Sequence, residues 1–358
     1  MLRAREAVRT LPTYHPPLSG REGLRLDFNE NTVGCSPRVL QRLRELDAEQ
    51  IARYPEREPV ERVVEDFLKT NPDELLLTNG IDEAIHLLCE TFLEPEDEAI
   101  IVVPTFSMYE ISAAATGARV VKVMAGEDFR FPVGALRAAI TPRTRLIAVA
   151  NPNNPTGAVA TSRELQQIAR SAPDAALLVD EAYFEFCGET MLGAWRDLPN
   201  LFVARTFSKA YGMAGMRVGV LAGDAAQISM VRKVASPYNV NGLALACLPE
   251  ALADQQYVRS YVEQVCTGRE RLQQEFEKLG IEYWPSHANF VLARLGRLCK
   301  PFIAAMKASG ILLRDRSSDT GCAGCVRITL GTSEQTERLL SALRATMKEL
   351  SIERASAV

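Results

Sequence analysis

Leu146-Ile-Ala-Val-Ala150-Asn151-Pro-Asn-Asn154-Pro-Thr-Gly157 is the stretch on which the reading of the fold depends. Five apolar residues without period-2 alternation read as a strand covered on both faces, the habit of a mostly parallel sheet. The polar loop behind them is stiffened by two prolines. It stands just beyond the carboxyl end of a strand, where open α/β sheets bind ligands. Working outward, similar short apolar runs recur at 75–77, 99–103, 119–123, 176–179, 201–204 and 218–222, with helical stretches such as 83–92 and 162–171 between them. That alternation predicts an α/β layered sheet.

The C-terminal third reads differently. Residues 243–279 predict a long amphipathic helical segment, and 288–293 and 326–329 suit strands. Thr332-Ser-Glu-Gln335 forms a capping box. It opens a helix whose Leu339, Leu343, Met347 and Leu350 share one stripe. A second, smaller α+β domain is expected here, completed by the segment before residue 49. Residues 1–24 contain Leu11-Pro-Thr-Tyr14-His-Pro-Pro17, too rich in proline for a helix, and read as an extended arm. The expected division is an arm over 1–24, a large domain over 49–242, and a small domain from 25–48 and 243–358.

Composition narrows the function classes. Of 358 residues, 41 are Lys or Arg and 45 are Asp or Glu, giving a net charge of −4. Neutralising a polyanion needs a basic surface, so neither nucleic acid nor an anionic membrane is an expected partner. The longest uncharged stretches carry Asn, Pro and Gly and fall short of a span of about 18 apolar residues. Residues 1–9 mix Arg with Glu6 and lack an apolar h-region, so a cytoplasmic protein is expected. Eight scattered cysteines suit reduced thiols. Cys322-Ala-Gly-Cys325 reads as a glycine-containing turn with incidental thiols. Zinc would want a second pair or nearby histidines, whereas His15, His86 and His287 are distant in sequence, so no metal is expected.

Four clusters follow strands in order. Thr78-Asn-Gly80-Ile81-Asp82 allows a tight turn into a helix whose free N–H groups can hold phosphate; an ordinary helix start capped by Asp82 is the plainer reading. Asn151–Gly157 presents an Asn amide. Asp180-Glu-Ala-Tyr183 puts a carboxylate at the end of an apolar strand, where it needs water or a partner such as a protonated ring nitrogen. Thr206-Phe-Ser208-Lys209, with Arg217 eight residues beyond the lysine, joins hydroxyls and a guanidinium fit for a phosphate dianion to a lysine fit for imine formation.

Asn154, Asp180, Tyr183, Lys209 and Arg217, taken in that order, resemble the aspartate-aminotransferase-like, fold type I family of pyridoxal-phosphate enzymes. Within it the chain is most similar to the histidinol-phosphate aminotransferases. The likeness runs from Leu26-Asp-Phe-Asn-Glu-Asn31 through Arg53-Tyr54-Pro55, Pro104-Thr-Phe-Ser-Met-Tyr109 and Ile311-Leu-Leu-Arg314-Asp315 to Val326-Arg327-Ile-Thr-Leu-Gly331.

The resemblance implies a fold with a large domain on a mostly parallel mixed sheet and a smaller α+β domain. It implies that Lys209 holds pyridoxal phosphate and later moves the substrate proton, with Asp180 on the pyridine nitrogen. Asn154 and Tyr183 would hydrogen-bond the phenolate oxygen, and Tyr109 would stack on the ring. Thr206, Ser208, Arg217 and the N–H groups of Ile81 and Asp82 would clamp the phosphate. Tyr54 would reach it from a neighbouring subunit, which implies a homodimer. Arg314 and Arg327 would take the phosphate of histidinol phosphate, or a carboxylate of glutamate or 2-oxoglutarate, with Tyr14 and Asn31 closing the pocket. Arg316 reads as solvated.

Two departures stand out: Ile81 lies where Ser or Ala is common, and Asn31-Thr-Val-Gly34 replaces the commoner Asn-Pro form. On the same scaffold, an aromatic amino-acid aminotransferase or a decarboxylase of a phosphorylated amino acid uses the same cofactor residues. A non-catalytic cofactor sensor would need a DNA-binding domain ahead of it. A dehydrogenase would need a G-x-G-x-x-G that Gly212, Gly215 and Gly219 do not form.

Overall fold

The computed structural model describes residues 2–13, 20 and 22–356. In chain order its strands are β1 (Leu24–Arg25), β2 (Leu75–Thr78), β3 (Glu98–Val103), β4 (Arg119–Met124), β5 (Thr144–Ala150), β6 (Ala176–Asp180) and β7 (Leu201–Thr206). They continue with β8 (Gly219–Gly223), β9 (Glu282–Trp284), β10 (Phe290–Arg294), β11 (Ile311–Leu312), β12 (Arg314–Asp315) and β13 (Cys325–Thr329). All seven apolar runs expected of the large sheet are strands within it, in the order β2-β8-β7-β6-β5-β3-β4. The pairs from β7 through β4 are parallel, and β8 runs antiparallel to both β7 and β2.

The absence of alternation has a simple cause. Leu75, Leu77, Ile147, Val149, Leu177, Val179, Leu201 and Val203 enter one apolar cluster, while Leu76, Leu146, Ala148, Leu178, Phe202 and Ala204 enter a second. Successive residues of a strand face opposite sides of the sheet, and helices cover both sides here. Helix Ser162–Ser171 brings Leu165 and Ile168 to the first cluster, and helix Gly80–Phe92 brings Ala84, Ile85 and Leu88 to the second. Each fully buried Leu or Val contributes about 1.5–3 kcal/mol, so a polar residue inside these strands needs a reason to be there.

Strand direction determines where the reason lies. β2, β3, β5, β6 and β7 all end at one edge of the sheet, and β8, running the other way, begins there. Five post-strand loops and the lead into β8 therefore converge, a geometry that collects ligand-binding groups in α/β sheets.

A second, antiparallel sheet has the order β12-β13-β10-β9, and β1 pairs in parallel with β11. The expected capping box is present: the Thr332 N–H donates to Gln335 Oε1 at 2.9 Å, and the Gln335 N–H donates to Thr332 Oγ1 at 3.2 Å. Leu339 and Leu343 on that helix are fully buried.

Two expectations differ. The segment 243–279 is two helices, Gly242–Ala253 and Gln255–Leu279, because the Asp254 carboxylate leaves the helical path to accept from the Tyr257 N–H and the Ser36 hydroxyl. The N-terminal arm is not wholly extended. Glu6–Arg9 forms one helical turn ahead of the prolines, anchored where the Arg5 guanidinium donates to Ala115 O at 2.9 Å, and Leu24 already belongs to β1. Among the described residues, no helix is long and apolar enough to cross a membrane.

Candidate active site

A cleft of about 450 Å³ opens at the edge where the strands end, within the range of small-molecule sites. Its floor begins at helix Gly80–Phe92, whose N-cap Asn79 makes no side-chain cap. Asp82 does not cap it either. Its carboxylate pairs instead with the Arg217 guanidinium at 2.9 Å, so among the described residues no side chain caps the first-turn N–H groups at Ile81 and Asp82. Gly80 has φ +73°, and a Cβ there would stand 2.6 Å from Arg217 Nη2, so only glycine lets the guanidinium lie over the turn. Thr206 Oγ1 donates to Ser208 Oγ at 2.9 Å and accepts from the Ser208 N–H at 3.1 Å. A helix start, two hydroxyls and a guanidinium make an anion seat. Arg217 reaches it because β8 starts at this edge.

Deeper in, Asp180 ends β6 between Ala150 and Ala204 of the flanking strands, whose small side chains leave its carboxylate room. It is 4% exposed, and burial pushes it up to about 6. Oδ1 accepts from the Ala182 N–H at 2.9 Å. Oδ2 accepts from the Tyr109 hydroxyl at 2.5 Å. Tyr109, expected at a ring face, is thus tied to the carboxylate. The Tyr183 hydroxyl accepts from Asn29 Nδ2 at 2.9 Å, which leaves its own proton to give. Burial pushes its pKa up, so the hydroxyl keeps its proton.

Lys209 Nζ donates to Phe28 O at 3.3 Å and sits 6.0 Å from the centre of the Tyr183 ring. Burial, then the charges of Arg327 and Arg217, brings the ammonium down to about 8. An amine so poised is a usable nucleophile and base near neutral pH.

The mouth is built by the second sheet. Arg327 on β13 is 5% exposed. Its Nη1 donates to Asn154 Oδ1 at 2.5 Å and its Nη2 to Asp27 O at 2.6 Å, while its Nε is buried without a hydrogen-bond partner among the described residues. Burial lowers this guanidinium to about 10. Arg314 on β12 lies opposite Arg327 in register, its guanidinium 5.2 Å from the Phe28 ring centre.

Several sequence readings need correcting. Arg316 is not solvated: it lines the cleft and pairs with Asp319. It lies two residues past Arg314, and period-2 geometry puts both on one face. Asn31 does not line the cleft, because its amide donates to Ala210 O and accepts from the Val33 and Gly34 N–H groups. Asn29, two residues earlier in the same motif, occupies the position expected of it and is held by Thr329 Oγ1 at 3.0 Å. Tyr54 needs no such correction: expected to reach a neighbouring subunit, it is 77% exposed, stacked on Tyr238, and does not line the cleft of its own chain. Tyr14 lies outside the described residues.

Beneath the site, Arg205 Nε donates to Glu181 Oε2 at 3.0 Å, and its guanidinium lies 3.5 Å from the centre of the Phe184 ring. Sequence reading passed over this pair, although an arginine inside an apolar strand demands a buried carboxylate.

A lysine brought down by burial, a carboxylate ending the neighbouring strand and an anion seat thus share one cleft. The family model for class I and II aminotransferases matches residues 21–343, and the chain belongs to that family. More particularly, it is 33% identical to histidinol-phosphate aminotransferase of Moorella thermoacetica, over 96% of this chain and 92% of that one. It is 36% identical to the enzyme of the same name from Symbiobacterium thermophilum, over 98% of this chain and all of that one. Among solved structures, histidinol-phosphate aminotransferase of Sinorhizobium meliloti, in complex with pyridoxal-5'-phosphate, superposes with a TM-score of 0.88 at 25% identity. That likeness covers 98% of this chain and 99% of that one, and the fold is that of fold type I aminotransferases.

Proposed function

We propose that the protein is a pyridoxal-phosphate-dependent aminotransferase interconverting histidinol phosphate plus 2-oxoglutarate and imidazole acetol phosphate plus glutamate, in histidine biosynthesis. One observation carries the choice of substrate: Arg327 is buried, has an Nε with no hydrogen-bond partner among the described residues and lies across from Arg314 in the cleft that holds Lys209. Two guanidiniums side by side suit a dianion, and either substrate offers them a distal anionic group.

The donor set suits the cofactor: an uncapped helix start, the Thr206 and Ser208 hydroxyls and Arg217 for its phosphate, and Asp180 for its ring nitrogen. When bound, pyridoxal phosphate supplies an electron sink conjugated to the substrate's Cα. Lys209 Nζ would hold it and then carry the proton taken from Cα. Asp180 would exchange its Tyr109 contact for the ring nitrogen, and its acidity favours an ionised form at neutral pH. Tyr183, accepting from Asn29, would donate to the phenolate oxygen alongside Asn154.

In this reading the division of labour follows the two sheets: 49–242 carries the cofactor, 25–48 with 243–358 brings the arginines, and 1–24 is the arm that carries Tyr14. A homodimer is supported by exposed Tyr54, which needs a neighbour to have any site to reach. A cytoplasmic setting is supported by eight free cysteines.

A half-reaction screen tests the function. Holoenzyme should lose its visible absorbance on adding histidinol phosphate or glutamate, and far less on adding phenylalanine. A preference for phenylalanine would assign the aromatic reaction instead, and release of CO₂ would assign decarboxylation. Protein that stays colourless with added pyridoxal phosphate overturns the cofactor.

A further inference from the structure

The mouth of the cleft carries one more cation than the proposed function uses. After β12, the Arg316 N–H still donates to Cys325 O at 2.9 Å, so the ladder with β13 continues and Arg316 shares the cleft-facing side with Arg314. The chain then turns, with the Asp319 N–H donating to Arg316 O at 2.9 Å, and this turn brings Ser318 and Asp319 to the cleft wall. The Asp319 carboxylate pairs with the Arg316 guanidinium. The two side chains are only 16% and 20% exposed. Arg316 Nε is buried with no hydrogen-bond partner among the described residues.

Asp315, the other acid of this turn, also lines the cleft but among the described residues pairs with none of Arg314, Arg316 and Arg327, accepting instead from the Ser317 N–H at 2.8 Å and lying 3.9 Å from the Cys299 thiol. Three guanidiniums therefore meet at the mouth, and among the described residues Asp319 is the carboxylate that pairs with one of them. The field of Arg316 reaches the Arg327 guanidinium and the Tyr183 hydroxyl, which marks its charge as part of the site.

We infer that Arg316, positioned by Asp319, is a specificity-determining residue that favours a distal phosphate monoester over a distal carboxylate. A carboxylate spreads one charge over two oxygens, which Arg314 and Arg327 suffice to hold. A phosphate monoester brings close to two charges and three oxygens, and a third guanidinium fork gives the remaining oxygen a charge-assisted hydrogen bond. The pairing with Asp319 holds the long side chain in place beforehand, so little rotamer entropy is lost on binding.

The inference rests on the proposed reaction, and the test keeps the two apart. In holoenzyme, Arg316→Gln should raise the KM for histidinol phosphate about 10-fold or more, several times more than it raises the KM for glutamate, with kcat falling much less than KM rises. Arg316→Lys, which keeps the charge but not the fork, should fall between. Asp319→Asn should move the same KM ratio in the same direction by less.

Inorganic phosphate, tested as an inhibitor of the glutamate half-reaction, should weaken about 10-fold in Arg316→Gln, and this arm reads out whatever the natural donor is. Equal changes in both KM values, or an unchanged phosphate inhibition constant, overturn the inference. Failure of the parent enzyme to turn over histidinol phosphate, with phosphate inhibition still dependent on Arg316, overturns the proposed reaction and leaves the anion subsite standing.

Discussion

The floor and the mouth of one cleft are built on opposite electrostatic plans. On the floor the acids have partners, Asp82 with Arg217, Asp180 with the Tyr109 hydroxyl and Glu181 with Arg205 beneath, and Lys209 donates to the Phe28 carbonyl. At the mouth, Arg314 and Arg327 face one another across paired strands, and Arg327 leaves an N–H unpaired. The floor is prearranged for a group that stays; the mouth is left short of negative charge for a group that comes and goes. Opposite charges buried together fix register and specificity more than they raise affinity. A surplus of one sign raises it only when the missing anion arrives.

The comparison can be broken at either end. The largest effect belongs to the floor: Lys209→Ala should lower turnover by at least about 10³-fold while the protein folds and still binds the cofactor without a covalent link, read by absorbance and by steady-state rates. Substantial residual turnover would remove Lys209 from its role. Next, Arg327→Gln should cost roughly 10²-fold in kcat/KM with both histidinol phosphate and glutamate. If one half-reaction is spared, the mouth is not shared. Arg217→Ala should loosen the cofactor by about 10-fold to 100-fold in equilibrium dialysis while leaving the ratio of the two substrates' KM values alone. A shifted ratio would mean that floor and mouth are not separable.

The pH dependence sharpens the contrast. Burial brings Lys209 from 10.5 to about 8, so between those values the unfolded chain binds more protons and folding is favoured by rising pH. Below about 8 the buried ammonium is a full burden. Lys209→Met should therefore stabilise the cofactor-free protein most at neutral pH, with the advantage over the parent shrinking as pH rises toward 10.5. A constant difference in melting temperature across that window would contradict the lowered acidity. Smallest of all, Asn31→Ala should cost about 1 kcal/mol of stability through its loop contacts, with little movement in either KM.

The same contrast explains what could be read in advance. Most of the floor was legible because its groups follow apolar runs that announce burial on both faces, as Leu177–Val179 before Asp180 does; Arg205, inside such a run, was the exception. The mouth was harder. β12 is two residues long, too short for a period to declare that Arg316 shares a face with Arg314. Asn29 and Asn31 sit in one motif with the same side chain. What separates them is backbone conformation, φ 55° at Asn29, and partners some 300 residues away. Asp254 was missed for the opposite reason: it is a strong cap whose signal was outweighed by the helical pattern on both sides.

That separation has a consequence for how the protein is made. Asp27 O receives Arg327, and Asn29 is held by Thr329, each pair 300 positions apart in the chain. At a synthesis rate of about 5–20 residues per second, the N-terminal segment waits roughly 15–60 s on the ribosome before its partners exist. Until then a nascent chain can possess the Lys209 end of the cleft without the Arg327 end. The last strand to be translated is thus the one that closes the site around a substrate, and a chain that stops before β13 would lack the arginine on which the choice of substrate depends.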